Sequence, residues 1–126
     1  MTLKNKLLVA GTLLSATLAI PAQAGSWQQN VTVGNFNKVH VYTPDSLSPI
    51  GQGRSLLVVL HGCTQSIDAY LSANLEDAAE SYGMVIAVPD AMNKAGFGCW
   101  SYWQGTKSRS AGDYANILSL VSSMKA

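Results

Sequence analysis

The residues that could do chemistry lie together at His61-Gly62-Cys63, directly after the apolar residues 56–60. An acyl-transfer reaction passes through an oxyanion that needs preorganised N–H donors, and a glycine lets the backbone turn sharply enough to aim them into a cleft. Losing one such donor typically costs on the order of 3 kcal/mol of transition-state stabilisation. We therefore expect the backbone N–H of Cys63 to serve an oxyanion hole. On this interpretation His61 and Gly62 shape the loop, and His61 is not the catalytic base.

Two other interpretations of this loop stay open. In the first, Cys63 is itself a nucleophile, because residues two apart at a strand end can face the same side and His61 could activate the thiol. In the second, the segment is an ordinary strand-to-loop turn with a satisfied histidine.

A second cluster follows at Cys99-Trp100-Ser101-Tyr102-Trp103. Aromatic side chains beside a cleft provide a flat apolar wall that suits a polyester or an aromatic acyl group. A tryptophan-rich loop can equally plug the end of a small sheet. Trp100, Tyr102 and Trp103 are therefore candidate substrate contacts, with the plug as the alternative.

The other residues of a hydrolytic triad are not evident. No serine lies in a G-x-S-x-G elbow, whose strained turn exposes a nucleophilic hydroxyl. We expect His40 to be a core or edge residue of an early strand, and Asp90 to cap or turn the end of another. The two cysteines and two histidines lack zinc-ligand spacing, so neither a metal nor a cofactor is expected.

Strands surround these residues. Two short β segments flank Gly34-Asn35-Phe36-Asn37 and predict a hairpin at the edge of a sheet. Residues 45–54, rich in proline and glycine, predict a loop. The continuous apolar runs at residues 56–60 and 84–88 predict two strands, the first beginning at about Ser55, that are buried on both faces of a parallel sheet.

Two helices complete the pattern. Ser66 suits an N-cap, residues 67–82 carry one apolar stripe, and Gly83 is a natural stop. After an irregular segment at 93–109, a second stripe predicts a helix that runs to the end of the chain. Its members are Tyr114, Ile117, Leu118, Val121 and Met124. The order is a hairpin and then β-α-β-α, which predicts an α/β fold with a parallel strand pair.

The first 24 residues have the three parts of a secretory signal. Lys4 and Lys6 are positive, the 14 residues 7–20 carry no charge, and Pro21-Ala22-Gln23-Ala24 provides an A-x-A cleavage site. The uncharged stretch is shorter than the roughly 20 apolar residues of a membrane span. We therefore expect cleavage after Ala24 and secretion to the periplasm or the extracellular space, with no membrane association afterwards.

Cleavage would lower the formal net charge from +1 to −1, because Lys4 and Lys6 are removed and no acid is. A near-neutral chain offers no basic surface to nucleic acid, so no such partner is expected. Cys63 and Cys99 are the two cysteines, and an even number in an oxidising compartment favours a disulfide over two separate thiols. The same argument disfavours a nucleophilic thiol at Cys63.

Three segments together resemble the poly(3-hydroxybutyrate) depolymerase esterases, a family of secreted α/β-hydrolases that also includes feruloyl and acetylxylan esterases. The segments are LVVLHGCTQ at 57–65, AVPD at 87–90 and GCWSYW at 98–103. The resemblance covers most of residues 25–126. It implies hydrolysis of an ester or polyester through a serine acyl-enzyme, without a cofactor, and an oxyanion donor at Cys63.

In this family the nucleophile, acid and base come after the point that this chain reaches at Met124. We therefore expect all three beyond Ala126, and residues 25–126 to be an incomplete α/β-hydrolase domain truncated before the nucleophile strand. The family's strand order would then leave residues 56–60 at a bare sheet edge. Two alternatives stay open: a fragment of a feruloyl or acetylxylan esterase, and a small exported binding module without catalysis, held by one disulfide.

Overall fold

The structure, a computed structural model, describes residues 25–92 and 96–125. The predicted secretory signal lies outside the described residues, as do three positions of the predicted irregular segment. Four strands and two α-helices are described: β1 Ser26–Val33, β2 Phe36–Thr43, β3 Ser55–Val58, α1 Leu75–Tyr82, β4 Met84–Pro89 and α2 Gly112–Met124. No helix in these two ranges is long and apolar enough to cross a membrane.

The strands form one open sheet in the order β1-β2-β4-β3. β1 pairs with β2 and β2 with β4 in antiparallel fashion, whereas β3 and β4 are parallel. The predicted hairpin and parallel pair are thus present, and the chain has a mixed α/β fold. Gly34 turns the hairpin with a φ of +56°, and its backbone lies so close to Ser119 in α2 that a side chain would collide.

The strands bury alternate residues on the two faces of the sheet, because successive side chains point in opposite directions. On one face, Leu120 of α2 packs in a cluster with Phe36, Val39, Val41 and Ala87 of the sheet. On the other face, α1 and a 3₁₀ helix, Ile67–Ser72, cover a cluster of Tyr42, Ile67, Ala79, Ile86 and Val88. The sheet therefore carries helices on both sides. The most buried residue of α2 is Leu120, which the predicted stripe omitted.

The prediction of one helix over residues 67–82 is wrong in its middle. Ser66 caps the first turn, since its Oγ accepts the N–H of Asp68 at 3.2 Å, but that turn belongs to the 3₁₀ helix. Asn74 then adopts a left-handed φ of 58° and α1 begins at the next residue. Asparagine tolerates this conformation better than most residues, so the break falls there. Gly83 ends α1 as predicted, with a φ of 61°.

The expectation that β3 is buried on both faces is also corrected. Its apolar residues are only half-buried, and Leu60 beyond its end is 45% exposed. The reason is its position, because in the described sheet β3 lies at the edge with β4 as its one neighbour.

Candidate active site

The ring of His61 fixes the geometry of the loop that follows β3. His61 is buried, and its Nε2 accepts the backbone N–H of Ala91 at 3.1 Å. This bond assigns the ring proton to Nδ1, which donates to the carbonyl oxygen of Gly62 at 2.8 Å. Asp90 Oδ1 lies 3.5 Å from Nε2, but a nitrogen that accepts a hydrogen bond has no proton to give it. His61 thus joins the end of β4 to its own loop.

Trp100 packs against the same histidine. Its Nε1–H donates to the carbonyl oxygen of His61 at 2.9 Å, and the two ring centroids are 5.2 Å apart. The indole also forms an edge-to-face pair with Phe36 of the core, with ring centroids 6.0 Å apart. Trp100 is half-buried and contacts both the His61 loop and the core.

Tyr102 and Trp103 differ from Trp100 in exposure. Their side chains are 59% and 49% exposed, and their rings form an edge-to-face pair with centroids 5.0 Å apart. They present aromatic surface to solvent, as a contact surface requires. Tyr102 and Trp103 are therefore more exposed than Trp100.

Two further links, besides the indole of Trp100, hold the His61 loop against the aromatic loop. Cys63 and Cys99 form the predicted disulfide. The N–H of Thr64 also donates to the carbonyl oxygen of Phe97 at 2.6 Å. Because the sulfur of Cys63 is engaged in this bond, it is not available as a thiolate nucleophile.

Gln65 also stabilises the loop, a role that the sequence reasoning missed. Its Oε1 accepts the N–H of Gly62 and the hydroxyl of Tyr70, both at 2.8 Å, and its own N–H donates to the carbonyl oxygen of Gly62 at 3.3 Å. The position of Gln65 immediately after the loop was the available signal. A glutamine side chain is long enough to fold back onto a glycine amide three residues earlier.

The backbone N–H of Cys63 differs from its neighbours. Gly62, Thr64 and Gln65 each donate their N–H to a carbonyl or side-chain oxygen. The N–H of Cys63 has no partner within the described part of the chain, and the residue is exposed. Within the described residues, the loop therefore presents the N–H of Cys63 as an exposed donor without a partner.

An apolar cavity of about 250 Å³ lies beyond the end of β3. Trp100 and Tyr102 contribute to its wall. The other lining residues are Leu60, Asp113, Tyr114 and Ile117. A space of this kind suits a short acyl chain.

His40 is a core residue, as expected. Its Nδ1 accepts the N–H of Asn30 at 3.1 Å, and its Nε2 therefore donates to Asp68 Oδ1 at 2.7 Å. This hydrogen bond is the main cause that lowers the pKa of the Asp68 carboxyl. Both nitrogens of His40 and of His61 are thus engaged with groups other than serine. Neither ring is free to accept a proton from a hydroxyl in this arrangement.

Asp113 is a second residue that the sequence reasoning missed. Its carboxylate lies in the first turn of α2 and is buried, and its Oδ2 accepts both the N–H and the hydroxyl of Ser101, at 2.5 and 2.8 Å. Its Oδ1 is buried without a hydrogen-bond partner among the residues described. An acid in the first turn of a helix was the available signal, but that position is common for reasons of the helix dipole alone.

No group of three or more His, Cys, Asp or Glu side chains within 25–92 and 96–125 could hold a metal ion.

Comparison with known proteins gives this loop its context. The family model described as Esterase PHB depolymerase matches residues 41–126. The poly(3-hydroxybutyrate) depolymerase of Ralstonia pickettii is 33% identical over 119 residues, an alignment that covers 82% of this chain and 24% of the relative. The chain thus spans about a quarter of the length of that curated relative. With a match over more than half its length, the chain belongs to the Esterase PHB depolymerase family.

Proposed function

We propose that this chain is the part of a secreted carboxylic-ester hydrolase that carries the oxyanion-hole loop. The single observation that supports this most strongly is the backbone N–H of Cys63, which is unpartnered among the described residues and lies at the carboxyl end of β3. Ligand sites of open α/β sheets are built at the carboxyl ends of their strands. The N–H of Cys63 would donate to the oxygen that becomes negative when the ester carbonyl is attacked.

The surrounding loop suits this task because contacts on both of its sides restrain its backbone. An oxyanion donor is effective when it needs no reorganisation during the reaction. Hydrogen bonds at His61, Gly62 and Gln65 restrain the backbone on one side, and the disulfide restrains it on the other. Cys63 would thus act through its backbone, and its sulfur would be structural.

The reacting serine, its acid and its base would lie outside the described residues, in a segment beyond Ala126. The engagement of both ring nitrogens in His40 and in His61 supports this proposal, because a serine nucleophile needs a free imidazole nitrogen. This chain alone would then bind and polarise an ester without cleaving it.

The proposed substrate is a polyester of short hydroxy acids. The name of the Ralstonia pickettii relative supports a poly(3-hydroxybutyrate)-type substrate, and the apolar cavity beside Trp100 and Tyr102 suits a short acyl unit. The exposed Tyr102–Trp103 pair favours a second candidate, an exported module that binds a polymer without catalysis. Adsorption to polyester film with no release of acid would distinguish this module from a hydrolase.

Secretion after cleavage at Ala24 is part of the same proposal. The Cys63–Cys99 disulfide supports it, because such bonds persist in oxidising compartments. Mass spectrometry of the exported product would show a chain that begins at Gly25. A product that retains residues 1–24 would contradict this part of the proposal.

A chimera tests the oxyanion donor. Residues 41–126 would replace the matching segment of the Ralstonia pickettii enzyme, and the hydrolysis of a short nitrophenyl ester would be measured. Cys63→Pro removes both the N–H and the disulfide, whereas the matched control Cys63→Ser removes the disulfide and keeps the N–H. We expect the proline variant to have a kcat about 10²- to 10³-fold below that of the serine variant. Equal kcat values in the two variants would refute the role of this amide.

A further inference from the structure

The carboxylate of Asp113 serves the aromatic loop and not its own helix. Although Asp113 lies in the first turn of α2, the helix begins at an Ala111 cap without a side-chain hydrogen bond. Both donors to the carboxylate come from one residue, Ser101, and both reach the same oxygen, Oδ2. The charge is therefore used to fix one peptide group and one hydroxyl in the neighbouring loop.

The other carboxylate oxygen of Asp113, Oδ1, lies in an energetically unfavourable environment. Oδ1 is buried and lacks a partner in the described residues. A buried acceptor without a hydrogen bond is costly, and such groups in native structures call for an explanation. We explain this cost by the two hydrogen bonds from Ser101, which hold Ser101 in place.

Ser101 connects this restraint to the proposed oxyanion hole. It is the next residue after Trp100, so a fixed Ser101 backbone limits where the indole can lie. The indole in turn donates to the carbonyl oxygen of His61 and packs on its ring. The carbonyl of His61 precedes the amide of Cys63 by one residue along the loop. A continuous series of hydrogen bonds, ring contacts and peptide connections thus runs from α2 to the amide of Cys63.

We propose that Asp113 is a positioning residue for the His61-Gly62-Cys63 loop, acting through Ser101 and Trp100. The inference rests on the proposed function for its meaning, because it names what holds the oxyanion donor in place. The structural coupling can be tested independently of the oxyanion role. It predicts that a substitution at Asp113 moves the amide of Cys63 while the chain stays folded.

Magnetic resonance of the 126-residue chain tests this coupling. With ¹⁵N in cysteine and tryptophan alone, the spectrum contains five backbone amides, two from cysteine and three from tryptophan, and three indole signals. Cys63→Ser and Trp100→Phe assign the two reporter signals. We expect Asp113→Ala to shift the Trp100 indole and the Cys63 amide by more than a peak width, at temperatures where the chain stays folded. The Trp27 indole, bound to Glu76 on the other face of the sheet, should stay in place.

Two further variants separate positioning from simple stability. Asp113→Asn retains a carbonyl oxygen for the donors of Ser101, so it should return both signals toward their original places. Asp77→Ala removes an exposed acid from α1 and should leave both signals unchanged. If Asp113→Ala lowers the melting temperature while both signals keep their positions, Asp113 is merely structural and the proposal fails.

A gentler variant covers the case in which Asp113→Ala does not fold. Ser101→Ala removes the hydroxyl donor and keeps the backbone donor, and it should shift both signals in the same direction by a smaller amount. Unmoved signals in Ser101→Ala would overturn the coupling. A shifted Cys63 amide together with equal kcat values in the chimera would overturn the proposed oxyanion role and leave the coupling intact.

Discussion

His40 and Asp68 form a hydrogen bond of 2.7 Å between a fully buried imidazole and an exposed carboxylate. The bond fastens the 3₁₀ helix to β2. The far side of the imidazole accepts the N–H of Asn30, whose left-handed φ of 56° marks an irregularity in the pairing of β1 with β2. One histidine thus joins two strands and a helix. Its location on the face opposite Trp100 gives it a structural task apart from the candidate active site.

This hydrogen bond makes the free energy of unfolding depend on pH. The pKa of Asp68 is lowered from an ordinary 3.8, mainly by the hydrogen bond from His40. A carboxyl whose pKa is lower in the folded than in the unfolded chain stabilises the fold above its unfolded pKa, and that contribution is lost as the pH falls through the folded value. We expect the free energy of unfolding to decrease below about pH 3.8, and Asp68→Asn to flatten that decrease. Urea denaturation at a series of acid pH values measures this, with exposed Asp77→Asn as the control. A slope unchanged in Asp68→Asn would contradict the prediction.

At alkaline pH, we expect Tyr42 to make the largest contribution to the pH dependence of the free energy of unfolding. Burial, and then its hydrogen bond to Glu80 at 2.8 Å, raise its pKa from 10.0 to about 12. A raised pKa stabilises the fold below pH 10, and the contribution is lost as the pH rises toward 12. Tyr42→Phe should cost about 1 kcal/mol at neutral pH through the lost hydrogen bond, and its deficit should shrink above pH 10. Denaturant titrations of this variant and of exposed Tyr82→Phe would test it, and a deficit independent of pH would refute it.

The disulfide should account for a large share of the stability. Cys63 and Cys99 are separated by 36 positions, and closing a loop of this length stabilises a fold by about 4 kcal/mol in the chain-entropy model. The double variant Cys63→Ser, Cys99→Ser should lose this amount in urea denaturation. A reducing agent should weaken the original chain equally and leave the double variant unaffected. A double variant as stable as the oxidised chain would show that the bond is dispensable.

Gly83 tolerates no side chain. Its φ is +61°, and an added Cβ would lie 2.1 Å from the backbone nitrogen of Ser48 and 2.2 Å from the carbonyl carbon of Leu47. We expect Gly83→Ala to destabilise the chain by about 3 kcal/mol or more, from left-handed strain and a collision with the loop after β2. Gly53→Ala, in the same loop with open space around its Cβ, should change the melting temperature little. Similar melting temperatures for the two variants would contradict this account.

The strands and helices that could be predicted from the sequence were those whose formation depends on a local residue pattern. Continuous apolar runs located β3 and β4, and the helical stripe located α2, because burial fixes each pattern in the local sequence. The break at Asn74 was missed, since the apolar stripe continues through it. Leu120 was missed because its burial depends on how α2 packs on the sheet.

In the candidate site, too, the features set by the local sequence were predicted and those set by the tertiary fold were missed. The loop residues and the disulfide were predicted from residue types and the compartment. The contacts of Gln65 and Asp113 were not, since each depends on a partner whose distance is set by the fold. Trp100 and Trp103 are alike in sequence context, yet one is anchored on His61 and the other is half exposed, because only the first lies above the core.

The two edges of the described sheet are chemically unequal. β1 exposes polar side chains such as Gln28 and Gln29, and its irregular pairing distorts the row of peptide groups that another strand would need. β3 is short, regular and apolar, with its peptide groups on the side away from β4 open within the described residues. Growth of the sheet is therefore directional. We expect an additional strand to pair with β3, on the side of Leu56 and Val58, and not with β1, on the side of Gln28. This holds whether the strand comes from the same polypeptide or from a neighbouring molecule.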